Sequence, residues 1–240
     1  MPVPVPLKIS ADTGAPGPVG YHIEGNSVPV LQVELNGTSV YFDHYVLLWK
    51  DPLVHIELKP QTKHLHRMRS GAPVFLTEAR GPGHLALGRN GAGRAFALPL
   101  RAGQSIEVHE HQFIAATDGV EFTCKKIKGP ATMLFGGTSF NVETFRSVQD
   151  SGIVWLHGYG DVFEVTLQRD EQIDIEPGGW VYHESTVRLE PINQPLSTAI
   201  LRAEQLAWHR FTGPGKVALQ SMYLHQTVDI SAMLKSAKYE

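Results

Sequence analysis

The chain of 240 residues has a formal net charge of −3, so it carries no global basic field that would attract nucleic acid or anionic lipid. Its 42% hydrophobic content is ordinary for a globular protein, and no apolar run is long enough to span a membrane. The single cysteine, Cys124, excludes an internal disulfide and suits a reducing compartment, so we expect a cytoplasmic protein.

The first segment, residues 1–20, is rich in proline and glycine and is predicted to be a flexible tail. It has no basic region followed by an apolar stretch, so it does not resemble a secretory signal. Residues 21–221 are predicted to form a single β domain, followed by a strand and helix tail at 222–240. Helical periodicity is confined to 231–238 and to a short stretch at 61–69.

One pattern of apolar residues occurs three times in the β domain, with internal steps of two, five, seven and two residues. The copies lie 66 and then 67 residues apart and span residues 28–88, 95–157 and 162–221. Self-similarity at a fixed period predicts a repeat architecture. In copy order the repeated residues are Val40, Phe42, Leu47, Val54 and Ile56; Ile106, Val108, Phe113, Val120 and Phe122; and Ile173, Ile175, Trp180, Val187 and Leu189.

Each copy ends with a glycine that precedes alternating apolar residues, at Gly83, Gly152 and Gly215. Alternation along short segments, separated by turn sequences such as Asn36-Gly37, predicts many half-buried strands. The sequence therefore predicts an all-β, sandwich-like or prism-like body in which three hairpins surround a pseudo-threefold axis and pack into one interior.

Three short motifs occur in order along the domain: Tyr21-His-Ile-Glu-Gly, Leu134-Phe-Gly-Gly and Phe211-Thr-Gly-Pro-Gly-Lys-Val-Ala-Leu-Gln-Ser. Together they resemble the altered-inheritance-of-mitochondria protein 24 family and its bacterial relatives, over residues 21–221. The resemblance implies a threefold β structure of the tryptophan-RNA-attenuator-protein-like superfamily. It implies no catalytic residue and no cofactor, because the family has no agreed catalytic residues. The name of the superfamily is a fold analogy and carries no function.

The sharpest candidate for chemistry is Gly103-Gln-Ser-Ile-Glu-Val-His109-Glu-His111, which resembles the first half of a cupin metal site. Two histidines on one strand face could ligate a transition metal, and a cupin-like metalloenzyme is one alternative function. The carboxylate expected after the second histidine is missing, because Ala115 and Ala116 stand there. We therefore favour a pair of surface histidines and predict no metal, no cofactor and no catalytic residue.

The local basic run is Lys59, Lys63, His64, His66, Arg67 and Arg69, with Lys125, Lys126 and Lys128 at the corresponding place in copy two. These side chains could form a positive rim, which makes a membrane-peripheral adaptor the second alternative. Short basic runs are usually solvated connectors, so at most peripheral membrane contact is expected.

Copy one differs from the others in its aromatic residues Tyr41, Tyr45 and Trp49, of which Tyr41 replaces Glu107 and Asp174. Aromatic residues in place of charged ones indicate a covered surface, and symmetric association is the usual cover. The sequence thus favours a non-enzymatic β scaffold or binding protein that forms a homo-oligomer through copy one. An additional protein partner remains open.

Overall fold

The structure of the chain, a computed structural model, describes residues 2–7, 19–59, 76–127, 140–193 and 207–222. All regular secondary structure in these residues is β-strand, as the alternating pattern predicts. The described strands are β1 (Val5–Pro6), β2 (Gly20–Glu24), β3 (Val30–Leu35), β4 (Ser39–Asp43), β5 (Leu47–Lys50), β6 (His55–Leu58), β7 (Leu76–Arg80), β8 (Gly83–Gly88), β9 (Gly93–Arg101), β10 (Ser105–His109), β11 (Phe113–Thr117), β12 (Val120–Ile127), β13 (Phe140–Ser147), β14 (Ser151–Tyr159), β15 (Val162–Leu167), β16 (Gln172–Ile175), β17 (Trp180–Glu184), β18 (Arg188–Asn193), β19 (Ala207–Thr212) and β20 (Gly215–Gln220).

These strands form four antiparallel sheets, which we name I to IV. Sheet I has the strand order β2-β3-β8-β5, and sheet II has the order β6-β7-β4-β11-β14-β9. Sheet III has the order β1-β15-β20-β17-β10-β13-β12, and sheet IV has the order β16-β19-β18.

Two kinds of three-strand block recur along the chain. The first kind, block A, is β3-β8-β5, then β9-β14-β11, then β15-β20-β17. The second kind, block B, is β4-β7-β6, then β10-β13-β12, then β16-β19-β18. Every block A also has a register irregularity at the start of its last strand, at Leu47/Trp49, Phe113/Ala115 and Trp180/Tyr182.

Consecutive copies are joined edge to edge. Block B of copy one and block A of copy two meet at β4 and β11 to form sheet II. Block B of copy two and block A of copy three meet at β10 and β17 within sheet III. Within the described ranges the first block A, extended by β2, forms sheet I, and the last block B forms sheet IV, neither of them joined to another block.

Three clusters of buried apolar residues lie between successive sheets. The first cluster contains Leu31 of sheet I and Phe42 of sheet II, and the second contains Phe113 of sheet II and Val108 of sheet III. The third contains Trp180 of sheet III together with the sheet IV strands β16 and β19. The fifteen repeated positions divide among these clusters copy by copy. The expected single interior is therefore wrong, because the buried apolar residues form three clusters between successive sheets.

Tyr41 is part of a core and not of an outer face, which corrects the sequence interpretation. Its side chain is fully buried in the second cluster, whereas Val40 and Phe42 point into the first. The Tyr41 hydroxyl donates a 2.8 Å hydrogen bond to the carbonyl oxygen of Val120. Since sheet II is covered on both faces, the aromatic ring fills the space between two copies.

Two of the three repeated glycines adopt backbone conformations that other residues avoid. Gly83 and Gly215 have φ angles of 133° and 139° at the start of β8 and β20. A Cβ atom at Gly215 would also lie 2.6 Å from Oγ1 of Thr186. Gly152 is required for space instead, because a Cβ atom there would collide with the Val120 side chain.

Several predicted features lie outside the described residues: the helical patterns at 231–238 and 61–69, and most of the tail at 1–20. Within that tail, Val5 and Pro6 form β1 and pair with β15. The described residues contain no helix that is long and apolar enough to cross a membrane.

Replacing Phe113 by alanine tests the second cluster. The Phe113 ring packs 4.5 Å from the Phe145 ring and is almost fully buried, so truncation should lower the free energy of unfolding by roughly 3–5 kcal/mol. Chemical denaturation at a fixed protein concentration measures this loss. Val148→Ala, at an exposed position, should stay within about 0.5 kcal/mol of the wild type. Equal effects of the two variants would contradict the assigned core.

Candidate functional site

The large exposed apolar side chains concentrate on copy one. In the part of the chain that the structure describes, every exposed leucine, tyrosine or tryptophan lies between residues 45 and 58. Tyr45, Leu48 and Trp49 are 53%, 51% and 55% exposed, and they lie on β5 or directly before it. We call these three residues the β5 surface. Since β5 is the last strand of sheet I in the described part of the chain, apolar side chains and a strand edge occur together.

A buried arginine, Arg89, binds Tyr45 of the β5 surface. Arg89 donates from Nη1 to the Tyr45 hydroxyl at 2.9 Å and lies 3.3 Å from the Asp43 carboxylate. Its Nε also donates to the carbonyl oxygen of Phe113 at 3.1 Å, so it ties copy one to copy two. Burial raises the pKa of Tyr45 to about 12, and the hydroxyl stays protonated at neutral pH. The sequence contains no motif that would have singled out Arg89.

The two histidines of the cupin-like motif lie in different environments. His109 ends β10, and its ring packs edge-on against Trp180 with the ring centres 4.7 Å apart. His111 is exposed in the following turn with a φ of 70°, and its Nδ1 lies 3.4 Å from the Tyr45 hydroxyl. The turn breaks the strand alternation on which a shared face depends. Among the described residues, no three His, Cys, Asp or Glu side chains are grouped to hold a metal.

A second imidazole environment, which the sequence analysis missed, surrounds Trp180 in the third cluster. The Trp180 indole N–H donates a 3.0 Å hydrogen bond to Nδ1 of His209. The buried His183 ring packs against Trp180 and Phe211, with centre-to-centre distances of 5.6 and 5.4 Å. Burial, together with the nearby His109, lowers the pKa of His209 to about 3. A neutral acceptor for a buried indole N–H has a structural role.

Carboxylates pair with two of the three described lysines of the expected basic rim, and the third, Lys126, is exposed on β12. Lys59 lies 2.8 Å from Asp118, and Lys125 lies 2.6 Å from Glu107. Burial opposes ionisation of Glu107, but the imidazole of His183, 3.5 Å away, and the Lys125 ammonium outweigh it and lower the pKa of Glu107 to about 2. Residues 63–69 and Lys128 lie outside the described residues.

Two surface cavities offer little unused chemistry. One, of about 350 Å³, is lined by Glu164, Tyr182 and Lys216. The Glu164 carboxylate already accepts a 2.9 Å hydrogen bond from the Tyr182 hydroxyl and pairs with Lys216 at 2.8 Å. The other, of about 410 Å³, is lined by turn residues and by Arg80, which pairs with Glu57 and Glu78. The β5 surface therefore remains the strongest candidate for function.

A family model described as mitochondrial biogenesis AIM24 matches residues 21–222, which include all the described strands except β1 and the first residue of β2. The chain belongs to the AIM24 family. None of the curated proteins matches this AIM24 chain.

Among solved structures, the AIM24 chain is similar to the crystal structure of protein SPYM3_0169 from Streptococcus pyogenes. The two share 21% sequence identity with a TM-score of 0.70, over 91% of this chain and 99% of that one. At this identity the likeness concerns the fold alone.

The acid stability of this AIM24 chain should depend on His209. Its folded pKa of about 3 lies below the ordinary value near 6.5, so the unfolded state binds the proton more tightly. The contribution of His209 to the free energy of unfolding is then fully present above about pH 6.5, and it is lost as the pH falls towards about 3. When the pH is lowered from about 7.5 to about 5, the titration of His209 alone should lower the free energy of unfolding by about 2 kcal/mol.

His209→Gln keeps an acceptor for Trp180 and removes the titration. Denaturant melts at the two pH values should show that this variant loses about 2 kcal/mol less than the wild type on acidification. His55→Gln changes an exposed histidine and should follow the wild type. If all three proteins lose stability in parallel, His209 is not held neutral in the folded state.

Proposed function

We propose that this AIM24-family chain is a non-enzymatic scaffold or binding protein that works as a homo-oligomer. The observation that carries the proposal is the β5 surface, where three large apolar side chains lie half exposed along an open strand edge. Monomeric proteins rarely leave such an edge uncovered, and association with another chain buries both the side chains and the strand edge.

The state of the polar groups supports a role without catalysis. His109, His183 and His209 pack around Trp180, while the buried Arg89 is engaged by a carboxylate, a hydroxyl and a main-chain carbonyl. Groups held in this way stabilise the fold, because each satisfies a partner that burial would otherwise leave unpaired.

The proposal also includes the organisation of the chain. We infer one domain over residues 21–221, made of three copies of a two-block sandwich, and a short C-terminal helix beyond it. The recurrence of blocks A and B, with the same irregularity in every block A, supports the three copies. The lone Cys124 supports placement in the reducing cytoplasm. The likeness to the tryptophan-RNA-attenuator-like superfamily concerns architecture and adds no RNA-binding role.

Light scattering on dilute protein tests the oligomer. The expected mass is at least twice the 26.5 kDa of one chain. Leu48→Glu, which places a charge on the β5 surface, should lower the mass to that of a single chain. Val148→Glu, at a position of similar exposure on copy two, should leave the mass unchanged.

A wild-type mass near 26.5 kDa would contradict the proposed oligomer. Elemental analysis of the same preparation, purified without added metal, tests the non-enzymatic part. We expect no stoichiometric transition metal, and a bound metal that is lost in His109→Ala would favour the cupin-like alternative instead.

A further inference from the structure

Two edge strands differ from their counterparts elsewhere in the chain. β5 ends sheet I, whereas the corresponding strands β11 and β17 each pair with two neighbours. β16 ends sheet IV, whereas the corresponding strands β4 and β10 are also paired on both sides. Among the described strands, one block A and one block B thus lack the neighbour that their counterparts have, and β5 and β16 are in different sheets.

The two junctions within the chain share one register, which two residue pairs from each junction illustrate. These are Ala115–Phe42 and Ala116–Tyr41 at the first junction, and Tyr182–Val108 and His183–Glu107 at the second. The repeat offsets of 66 and 67 residues identify equivalent positions in the three copies. Trp49 is equivalent to Ala115 and Tyr182, and Ile175 is equivalent to Phe42 and Val108. The same register can therefore be written for β5 and β16.

We propose that β16 of one copy of the chain pairs antiparallel with β5 of a second copy, which joins sheet IV of the first to sheet I of the second. The inference deepens the proposed oligomer and rests on it. The expected opposite pairs are Trp49 with Ile175, Lys50 with Asp174, and Asp51 with Ile173. The interface is heterologous, so successive copies close into a ring or extend as a fibre.

The burial of corresponding residues supports this pairing. Leu48 is 51% exposed, whereas its counterparts Ile114 and Val181 are 1% and 0% exposed. Both counterparts pack into the core of the preceding copy, in the first and second clusters. On the other side of the interface, Ile173 and Ile175 remain slightly exposed, at 6% and 8%. In the proposed pairing, Leu48 of one chain would lie over the third cluster of the other chain and complete the cover of that core.

Charge complementarity also favours the pairing. Lys50 and Asp174 would be directly opposite each other, at the position where His183 and Glu107 lie 3.5 Å apart within the chain. Asp174 is held by a two-point ion pair with Arg210 and keeps 37% of its side chain exposed, so a second cation can reach it. Opposite charges across an antiparallel pair stabilise the register.

Disulfide trapping in the full-length chain tests the pairing. Lys50→Cys and Asp174→Cys are made separately in a Cys124→Ser background, purified, mixed and oxidised. Residues directly opposite in an antiparallel pair are close enough for a disulfide. The mixture should give a new band at twice the 26.5 kDa mass, whereas neither protein alone should give it. Asp161→Cys, an exposed position remote from β16, replaces Asp174→Cys as the matched control and should give no band.

Three outcomes would overturn the pairing. Cross-linking of Lys50→Cys by itself would show a twofold β5–β5 contact. An intramolecular disulfide in the Lys50→Cys/Asp174→Cys double variant, with none between separate chains, would show that the chain closes on itself. An oligomer by light scattering without any cross-link in the mixture would leave the proposed scaffold standing and remove β16 as the partner strand. A monomeric wild type would remove both.

Discussion

The edge-to-edge joining of strands between consecutive copies is the constraint on which the rest of the fold depends. A block of three strands is marginal in isolation, because one of its faces has no cover. Joining block B of one copy to block A of the next at β4·β11 and β10·β17 makes sheets that are covered on both sides. This is why Tyr41 and Ile114, on neighbouring strands of sheet II, pack into different cores and are both fully buried.

Buried polar groups reinforce both junctions. At the first, Arg89, which directly follows copy one, donates to the Phe113 carbonyl of copy two while it pairs with Asp43 of copy one. At the second, His183 of copy three lies next to Glu107 of copy two. Loss of one partner from such a buried pair leaves the other without compensation, so these contacts fix how copies meet more than they add net stability.

The sequence predicts which apolar residues are buried much better than it predicts which core they pack into. The steps of the repeat follow the two-residue period of a strand, and every repeated position packs in or against a core. Periodicity cannot say which of several cores receives a side chain, so one interior was expected instead of three. It also treats every second polar residue as solvated, which hides His183 and His209 between two sheets.

The candidate site could be predicted only in part, for a related reason. Tyr45 and Trp49 follow from comparison of copy one with the other copies, and both are half exposed. Tyr41 meets the same criterion and is buried, because its strand is paired on both sides and β5 is not. A sequence difference between copies indicates that the residue has a different environment. The strand order determines whether that environment is a neighbouring strand or solvent. His109 and His111 do not share a strand face, since β10 ends at His109 and His111 lies in the following turn with a φ of 70°.

The central pair of each junction is complementary in a different way, and this difference can specify the order of the copies. Tyr41 faces Ala116, which combines a large side chain with a small one, and Glu107 faces His183, which combines an acid with a base. The remaining two positions of this kind, Asp174 and Lys50, again combine an acid with a base. Tyr41 opposite Lys50, or a carboxylate opposite Ala116, would leave a charge without an opposite charge to pair with, so the first junction is distinct from the other two. In the proposed pairing between chains, the same acid–base match of Asp174 with Lys50 would set the register of β16 against β5.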